Sequence, residues 1–268
     1  DQNRLVLAYL HTNATDAPGS VRLFMDASSF PSTSLQPFVC SNLRTTTTRL
    51  LVYQDFDPYP TSSATCQGQI FGVIFDGHEQ PTSTKRFLIS SDCTYDQATP
   101  TCTILSTGNY VVVYGSSNHP NPGYQGLYGQ QVTASGALSG SQFEISSTYP
   151  GPSSYHSRPS VAGVGASGHF IVAWDGYLGA VDYKIYMQRF DTANAKVGPT
   201  EQRVSDLQGA GTCNYYSATI ANSYNFGTDV CVTYESDCVN ANNDIFVKCF
   251  DASSSSTFVD LFAQTLVA

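Results

Sequence analysis

Two neighbouring segments decide the fold: HFIVAW at His169–Trp174 and KIYMQRFD at Lys184–Asp191. Each is a short apolar run rich in β-branched and aromatic residues, and a stretch containing Gly and Asp separates them. This pattern predicts two antiparallel β-strands joined by a turn. The pair recurs along the chain, and a recurring pair predicts a fold built from one repeated unit.

The first strand of the pair occurs in five copies, each ending in an aromatic residue. The copies are RLVLAY at Arg4–Tyr9, RLLVY at Arg49–Tyr53, NYVVVY at Asn109–Tyr114, HFIVAW at His169–Trp174 and DVCVTY at Asp229–Tyr234. The last three aromatic residues are 60 residues apart. A constant period of this length is typical of structural units stacked in series.

Other strands complete each unit, which we label a, b, c and d in chain order, with a innermost. Strand c is VRLFMD at Val21–Asp26, IFGVIFD at Ile70–Asp76, GLYGQQVT at Gly126–Thr133, KIYMQRFD at Lys184–Asp191 and IFVKCFD at Ile245–Asp251. Strand d is FLISS at Phe87–Ser91, FEISS at Phe143–Ser147 and QRVSD at Gln202–Asp206. Strand a is RPSVAGV at Arg158–Val164 and SATIA at Ser217–Ala221. Four short strands per unit, repeated in series, are typical of a β-propeller.

The predicted fold is therefore all-β: a disulfide-stapled β-propeller of about five four-stranded blades. One domain covers residues 1–268, with repeats at approximately 1–41, 42–95, 96–152, 153–210 and 211–268. A single sheet cannot hide both of its faces, whereas neighbouring sheets packed face to face can. A β-sandwich with irregular hairpins is the alternative fold.

The third and fourth copies also resemble a known repeat. Their sequences, NYVVVY…GLYGQQVTASGALSGSQFEISS and HFIVAW-Asp175-Gly176…IYMQRFDTANAKVGPTEQRVS, are similar to a tandem β-propeller-like repeat of large secreted and surface proteins of bacteria and protists. The resemblance covers residues 100–251 well and the first two copies loosely. It implies an extracellular, propeller-like repeat. Because the shared motifs are structural, it implies little about chemistry.

Composition excludes several classes of function. Charged residues make up only 12% of the chain, and the net charge is −9. A nucleic-acid binder needs clustered Lys and Arg to neutralise phosphates, and the 12 basic residues form no cluster in the sequence. No apolar run approaches the ~20 residues that cross a bilayer. We therefore expect neither nucleic-acid binding nor membrane insertion.

Eight cysteines, none in a C-x-x-C pair, predict disulfides in a protein that is secreted or on the extracellular surface. Strand alternation places the b–c loops and the d–a connections on one rim, which brings several cysteines to equivalent places there. The predicted pairs are Cys40–Cys66, Cys93–Cys102, Cys213–Cys238 and Cys231–Cys249. The last pair lies directly opposed across a hairpin.

The same rim, which we call the long-loop rim, carries the candidate ligand-binding residues. Its b–c loops collect Asp, Asn and Tyr, so calcium is a candidate cofactor, with ordinary Asx turns as the alternative. Three histidines on this rim, His11, His119 and His156, belong to different units, which favours solvent-exposed histidines over a metal site. The residues predicted for a ligand-binding rim are Tyr155, His156, Arg158, Trp174, Asp175, Tyr216 and Glu235. Trp174 is at the same time a typical core residue.

Two kinds of glycosylation are predicted. Asn13 opens the sequence Asn-Ala-Thr, an acceptor for N-linked glycans. The Ser/Thr tracts at residues 45–48 and 253–257 are candidates for O-glycans, with flexible turns as the alternative.

The repeat supplies architecture and no catalytic constellation. The main hypothesis is therefore a structural or adhesive extracellular protein, a subunit of a surface filament, coat or matrix, and not an enzyme. Its partners would be copies of itself, other extracellular proteins or glycans. The first alternative is a lectin-like, glycan-binding propeller. The second is a glycoside hydrolase using Asp175 and Glu235, which follow the equivalent aromatic residues Trp174 and Tyr234.

Overall fold

The computed structural model describes residues 35–41, 48–55, 68–75, 86–91, 95–117, 124–146, 151–152, 159–177, 183–205, 214–222, 227–237, 244–253, 258–261 and 265–266. Within these ranges every regular element is a β-strand. No helix there has the length and apolar character needed to span a bilayer.

The strands form four sheets, each an antiparallel meander in chain order. Sheet 1 contains β1 (Leu35–Ser41), β2 (Arg49–Asp55), β3 (Gln69–Phe75) and β4 (Phe87–Leu88). Sheet 2 contains β5 (Gln97–Ile104), β6 (Tyr110–Ser116), β7 (Tyr124–Val132) and β8 (Leu138–Glu144), with β9 (Gly151–Pro152) paired to β7. Sheet 3 contains β10 (Ser160–Val164), β11 (His169–Tyr177), β12 (Tyr183–Phe190) and β13 (Lys196–Arg203). Sheet 4 contains β14 (Tyr215–Asn222), β15 (Asp229–Ser236), β16 (Asp244–Asp251) and β17 (Val259–Asp260), with β18 (Thr265–Leu266) paired to β16.

The predicted class is confirmed, since the chain is an all-β propeller with four-stranded blades. The predicted number of blades is wrong, because the described residues form four such sheets and not five. The b and c strands predicted at Arg4–Tyr9 and Val21–Asp26 lie outside the described residues. β1, which lies within residues 1–41, pairs with β2 and is the first strand of sheet 1.

Strand d begins earlier than the sequence predicts. In sheets 2 and 3 it starts at Leu138 and Lys196, well before the predicted FEISS and QRVSD segments. Tight turns precede both starts, with Thr133 N–H bonded to Ala137 O and Asp191 N–H bonded to Ala195 O. In sheet 2 the first residues of strand d are exposed or half-buried, and Leu138 is 45% exposed. An exposed, polar edge strand lacks the apolar alternation on which the prediction depends.

The core lies between consecutive sheets. Apolar side chains of sheets 1 and 2 form one cluster, those of sheets 2 and 3 a second, and those of sheets 3 and 4 a third. Trp174, with 0% of its surface exposed, lies in the second cluster and stacks on Tyr186. The b strands of sheets 1 and 2 are buried on both faces, which explains why they read as continuous apolar runs in the sequence. Strand b of sheet 4, β15, alternates between buried and partly exposed residues.

Glycine in strand c makes room for an aromatic residue from strand d. Gly129 pairs with Phe143, and Gly72 pairs with Phe87. A Cβ atom at Gly129 would lie 2.7 Å from Cε2 of Phe143, and one at Gly72 would lie 2.7 Å from Cζ of Phe87. The glycines thus serve close packing of the outer strand on the sheet.

The glutamine of the repeat motif forms hydrogen bonds with backbone groups at a β-bulge between strands c and d. Gln188 donates to the carbonyl oxygens of Arg189 and Val197, and its own Oε1 accepts the backbone N–H of Glu201 at 2.7 Å. Gln130 occupies the equivalent place in sheet 2 and donates to Ser139 O. The glutamine at this position therefore has a structural role.

Two disulfides lie within the described residues. Cys231–Cys249, with its Cα atoms 4.0 Å apart, joins β15 and β16 and confirms that predicted pair. Cys40 is bonded to Cys102 across the two innermost strands β1 and β5. This bond corrects the predictions Cys40–Cys66 and Cys93–Cys102, because each of these pairs uses a cysteine that the observed bond occupies.

The physical reason for this correction is that Cys40 and Cys102 lie on adjacent inner strands, not in connecting loops. Cys66, Cys93, Cys213 and Cys238 are outside the described residues, as are Asn13 and both Ser/Thr tracts except Thr48 and Ser253. The disulfides of the described region fit an oxidising compartment.

Candidate functional site

The four innermost strands enclose the propeller axis in equivalent register. In each inner strand, one residue pairs with the strand b residue that precedes the aromatic residue of the repeat. These inner-strand residues are Phe38, Thr101, Ser160 and Thr219. In β1, β5 and β14 a β-bulge precedes this position, and one residue of each bulge has a positive φ. These residues are Gln36, Thr99 and Ser217. The bulges turn the start of the inner strands at the long-loop rim.

Hydrogen bonds join each inner strand to the next. Thr99 N–H donates to Gln36 Oε1 at 2.7 Å, linking β5 to β1. The hydroxyl of Thr101 donates to Pro159 O, just before β10, at 2.9 Å. Ile220 N–H donates to the hydroxyl oxygen of Ser160, linking β14 to β10. The inner strands are therefore held at fixed distances around the axis.

A cavity of about 350 Å³ lies between these strands. The described residues that line it are Gln36, Pro37, Phe38, Thr99, Pro100, Thr101, Pro159, Ser160, Val161, Ala218, Thr219 and Ile220. None of these residues carries a charge. Phe38 is 44% exposed and is the aromatic side chain of this lining. Such a lining suits a neutral ligand with apolar and hydroxyl surfaces.

Asp175 lies directly behind the cavity wall. It is at the rim end of β11, only 2% exposed, and its two carboxylate oxygens accept the backbone N–H groups of Ser217 and Ala218 at 3.0 Å each. Ala218 itself lines the cavity. The carboxylate of sheet 3 thus stabilises the bulge of β14 in sheet 4.

Glu235 is the second carboxylate of this region. Burial raises the pKa of Asp175 to about 6, the N–H groups of Ala218 and Ser217 oppose the rise, and the charge of Glu235 adds to it. Glu235 is partly exposed at the rim end of β15, where it pairs with Tyr216 of β14. Strand pairing places Glu235 near Asp175: Glu235 pairs with Tyr216, and the next residue, Ser217, donates its N–H to Asp175.

Two tyrosines lie beside these acids. The rings of Tyr183, at the start of β12, and Tyr216 are 5.5 Å apart between centroids and tilted by 42°. Both side chains are half-buried. Burial raises the pKa of Tyr216, and the charges of Asp237 and Asp175 and the neighbouring Tyr183 raise it further, whereas a hydrogen bond to the Asn214 side chain lowers it.

Asn214 organises this aromatic pair. Its side-chain oxygen accepts the backbone N–H of Tyr183 at 3.4 Å, and its Nδ2 donates to Asp237 Oδ2 at 3.1 Å. Its backbone N–H donates to Asp237 Oδ1 at 2.8 Å. Two blades therefore share one polar network at the long-loop rim.

A second buried acid lies in sheet 1 but is neutralised. Asp55 forms an ion pair with Arg86, whose guanidinium carbon also lies 4.4 Å above the ring of Phe71. Burial raises the pKa of Tyr53, and Arg86 lowers it. A carboxylate held by a guanidinium inside an apolar face is a structural element, and we do not include it in the candidate site.

The predicted rim residues separate into three groups. Asp175, Glu235 and Tyr216 meet at the long-loop rim. Trp174 is in the core, which corrects its assignment to the ligand-binding rim, because its ring packs between sheets 2 and 3. Tyr155, His156 and Arg158 lie outside the described residues, as do His11 and His119.

Sequence reasoning missed Tyr183 and Asn214 as site residues. Both flank strands at the long-loop rim, so strand alternation was the signal that could find them. The closeness of Asn214 to Tyr183 depends on how sheets 3 and 4 pack, which no local pattern encodes. In the described part of the chain, no group of three or more His, Cys, Asp or Glu is arranged to hold a metal ion. Calcium stays a prediction.

The fold is a propeller, and its long-loop rim carries a polar site where sheets 3 and 4 meet beside the axis. No family model matches the sequence, and no curated protein matches it. Solved structures do match the fold, at low identity. The GH93 α-L-arabinofuranosidase of Fusarium graminearum, solved with arabinobiose, has a TM-score of 0.58 and 12% identity over 88% of this chain and 67% of that one.

Two further structures match about as well. The α-L-arabinanase of Penicillium chrysogenum, also complexed with arabinobiose, has a TM-score of 0.57 and 10% identity over 90% of this chain and 68% of that one. A protein of unknown function from Dyadobacter fermentans has a TM-score of 0.55 and 14% identity over 87% and 69% of the two chains. At these identities the likeness shows the fold.

The comparisons contradict two predictions. A structural or adhesive filament, coat or matrix protein was the main hypothesis, together with the absence of enzymatic activity. Of the solved structures described above, those from Fusarium graminearum and Penicillium chrysogenum bear the names of glycoside hydrolases. We therefore withdraw both predictions. The two predictions fail because the repeat motif reflects side-chain packing, whereas the binding and catalytic residues of a propeller lie in loops and at strand ends.

Proposed function

We propose that the protein is a secreted glycoside hydrolase whose carboxyl pair is Asp175 and Glu235. The observation that carries the proposal is the placement of these two acids on adjacent blades beside the axial cavity: Asp175 accepts the N–H of Ser217, and Glu235 pairs with Tyr216, the residue before it. Glycosidases use two carboxyl groups, one to protonate the glycosidic oxygen and one to activate water or attack the sugar. The names of the solved structures make arabinose-containing glycans the first substrates to test.

The environments of the two acids favour different roles. Asp175 has a pKa of about 6 because it is buried, so it holds a proton in weakly acidic solution, as a general acid must. Glu235 is partly exposed at the strand end, where a water molecule can reach it. Secretion is supported by the disulfides, which persist in oxidising compartments.

One observation favours a second candidate, a glycan-binding propeller without catalysis. Both oxygens of Asp175 are occupied by backbone N–H groups. A carboxylate engaged in this way stabilises β14 and has little freedom to donate a proton to a substrate. The cavity and the two tyrosines would then bind a glycan without cleaving it.

The test is the release of reducing ends from a panel of neutral and acidic polysaccharides, arabinan included, between pH 4 and 8. We expect hydrolysis that declines as the pH rises through about 6, where Asp175 loses its proton. Asp175→Asn and Glu235→Gln should each lower kcat by about 10²-fold or more. Asp229→Asn is the matched control, because Asp229 is exposed at the opposite end of the same strand β15.

The outcomes separate the two candidates. Full activity in Asp175→Asn or Glu235→Gln would overturn the assigned pair. Binding of a glycan without release of product from any substrate in the panel would contradict the hydrolase and support the glycan-binding propeller.

A further inference from the structure

The four inner strands differ at one position that lies beside the axial cavity. In each strand this position directly precedes the equivalent residue described above, which is Phe38, Thr101, Ser160 or Thr219. The four residues at this position all line the cavity, and they are Pro37, Pro100, Pro159 and Ala218. Of these four, only Ala218 has a backbone N–H, because the nitrogen of proline carries no hydrogen.

The residue before this position has the same backbone conformation in three of the strands. Gln36, Thr99 and Ser217 have φ values of 53°, 51° and 58°. In β1 and β5 a proline follows this residue within the bulge, whereas in β14 Ala218 follows it. The bulge therefore accepts proline at the position of Ala218, and its backbone needs no N–H there.

The strand b residue that faces this position also differs between the sheets. Asp175 faces sheet 4, because it lies on the same face of β11 as Ala173, which packs between sheets 3 and 4. Gln54 faces sheet 2 in the same way, on the face of β2 that carries Val52. The third equivalent residue, Gly115, has no side chain. A carboxylate therefore faces the alanine, whereas an amide or no side chain faces the prolines of β5 and β10.

The first N–H of the bulge does not require a carboxylate either. In β5 the N–H of Thr99 donates to Oε1 of Gln36, a neutral amide, at 2.7 Å. In β14 the N–H of Ser217 donates to Oδ2 of Asp175 and the N–H of Ala218 donates to Oδ1, at 3.0 Å each. A buried carboxylate costs more to desolvate than an amide. Its presence here is explained by the second N–H, because the two oxygens of one carboxylate can accept both bonds.

We propose that Ser217 and Ala218 are positioning residues for Asp175: their N–H groups direct its two oxygens at the backbone and hold it ionised, and alanine in place of proline at position 218 provides the second of these bonds. The inference rests on the proposed function for the part that Asp175 plays in hydrolysis. It adds which backbone groups set the pH range over which Asp175 holds a proton. Because a hydrogen bond to a carboxylate favours the ionised form, loss of the Ala218 bond should extend that range upward.

The test replaces Ala218 by proline, the residue of the three equivalent positions. Ala218→Pro removes one N–H and leaves Asp175 itself in place. The free energy of unfolding of this variant and of the wild type is measured in urea between about pH 4 and 9, each relative to the same protein carrying Asp175→Asn. For the wild type we expect this difference to become constant above about pH 6. For Ala218→Pro it should become constant about one pH unit higher.

The other titratable groups near Asp175 are the same in both proteins. Glu235 of β15 raises the pKa of Asp175, and the charge of Asp175 in turn raises the pKa of Tyr216 in β14. Lys184 of β12 pairs with the next residue of β11. Because these groups occur on both sides of the comparison, the shift between the two proteins reports the loss of the Ala218 N–H.

Two control variants separate the lost N–H from local damage. Ala218→Gly changes the side chain but keeps the N–H, so its difference should become constant at the same pH as in the wild type. Pro100→Ala is the reverse substitution at the equivalent position of β5, which the uncharged Gln54 faces, and it should leave this pH unchanged. A shift in either control as large as that in Ala218→Pro would overturn the proposal. So would an Ala218→Pro protein that does not fold, because the positions would then not be equivalent.

Hydrolysis provides a separate measurement that distinguishes this inference from the proposed function. If the wild type cleaves a glycan, the decline of kcat with rising pH should move upward in Ala218→Pro by the same amount as the stability difference. A shifted stability difference without hydrolysis by the wild type supports the positioning role and contradicts the hydrolase. Hydrolysis that needs Asp175, together with an unshifted stability difference, contradicts the positioning role alone.

Discussion

The carboxylate of Asp175 in sheet 3 accepts a hydrogen bond from the backbone N–H of Ala218 in sheet 4, with 3.0 Å between Oδ1 and N, and both residues are buried. The same carboxylate accepts the N–H of Ser217, whose φ is +58°. One acidic side chain therefore fixes both the junction between two blades and the strained start of an inner strand. Its removal should affect stability as well as activity.

Replacing Asp175 by Ala should lower the free energy of unfolding by about 3 kcal/mol, because two N–H groups lose their acceptors and one of them is buried. Urea unfolding followed by the fluorescence of Trp174, the single tryptophan, measures this loss. Asp229→Ala should change the free energy by less than about 0.5 kcal/mol. Equal stabilities of the two variants would contradict the structural role of Asp175.

Stability should also depend on pH through Asp175. Its pKa in the folded protein, about 6, lies above the ordinary value of 3.8. A raised carboxyl pKa means that folding favours the protonated form, so this stabilising contribution is complete below pH 3.8 and is lost as the pH rises through 6. Relative to Asp175→Asn, the wild-type free energy of unfolding should fall by about 3 kcal/mol across this window. A constant difference between the two proteins would show that Asp175 is not perturbed.

The glycine in strand c should not tolerate a side chain. Gly129→Ala should destabilise the protein by about 1–3 kcal/mol, because the new Cβ meets the ring of Phe143. The measured penalty should shrink when Phe143→Leu is also present, since the smaller side chain leaves space. Additive effects of the two substitutions in a double-mutant cycle would argue against this contact.

The motif glutamine should matter for stability. Gln188→Ala removes the acceptor of the buried Glu201 N–H and should cost about 2 kcal/mol. Gln142→Ala is the control, because Gln142 bonds the backbone and hydroxyl of Ser91 at an exposed position. Chemical unfolding of both variants gives the comparison. A loss for Gln142→Ala as large as that for Gln188→Ala would contradict the argument.

The disulfide pairing can be checked by peptide mapping without reduction. We expect one cross-linked peptide pair containing Cys40 and Cys102 and another containing Cys231 and Cys249. Detection of Cys40 linked to Cys66 would support the pairing inferred from the sequence instead.

How much the sequence could predict depends on burial. The b strands of sheets 1 and 2 are buried on both faces, as Tyr110–Ser116 shows, and their apolar runs predict these blades at nearly the right places. Strand d of sheet 2 starts with exposed residues, so the sequence pattern predicts its start too late. Strand β1 has the sequence LQPFVCS, with a bulge and a proline, so the sequence resembles a connection and predicts Cys40 in a loop.

The candidate site was predicted in part for a similar reason. Asp175 and Glu235 occupy equivalent positions in successive repeats, and a repeat places equivalent residues on one rim. Asn214 and Tyr183 occupy different positions in their repeats, and they meet only because sheet 4 packs against sheet 3. Contacts of this kind follow from the angle between blades, which the repeat does not specify.

The bond between Cys40 and Cys102 has a consequence for a chain that has been cut. Any single proteolytic cleavage between these two cysteines produces two fragments that remain covalently joined, because the bond spans 62 positions of sequence. Such a nicked molecule would migrate as one species until a reductant is added. Loss of continuity in this part of the backbone would therefore not by itself release sheet 1 from sheet 2.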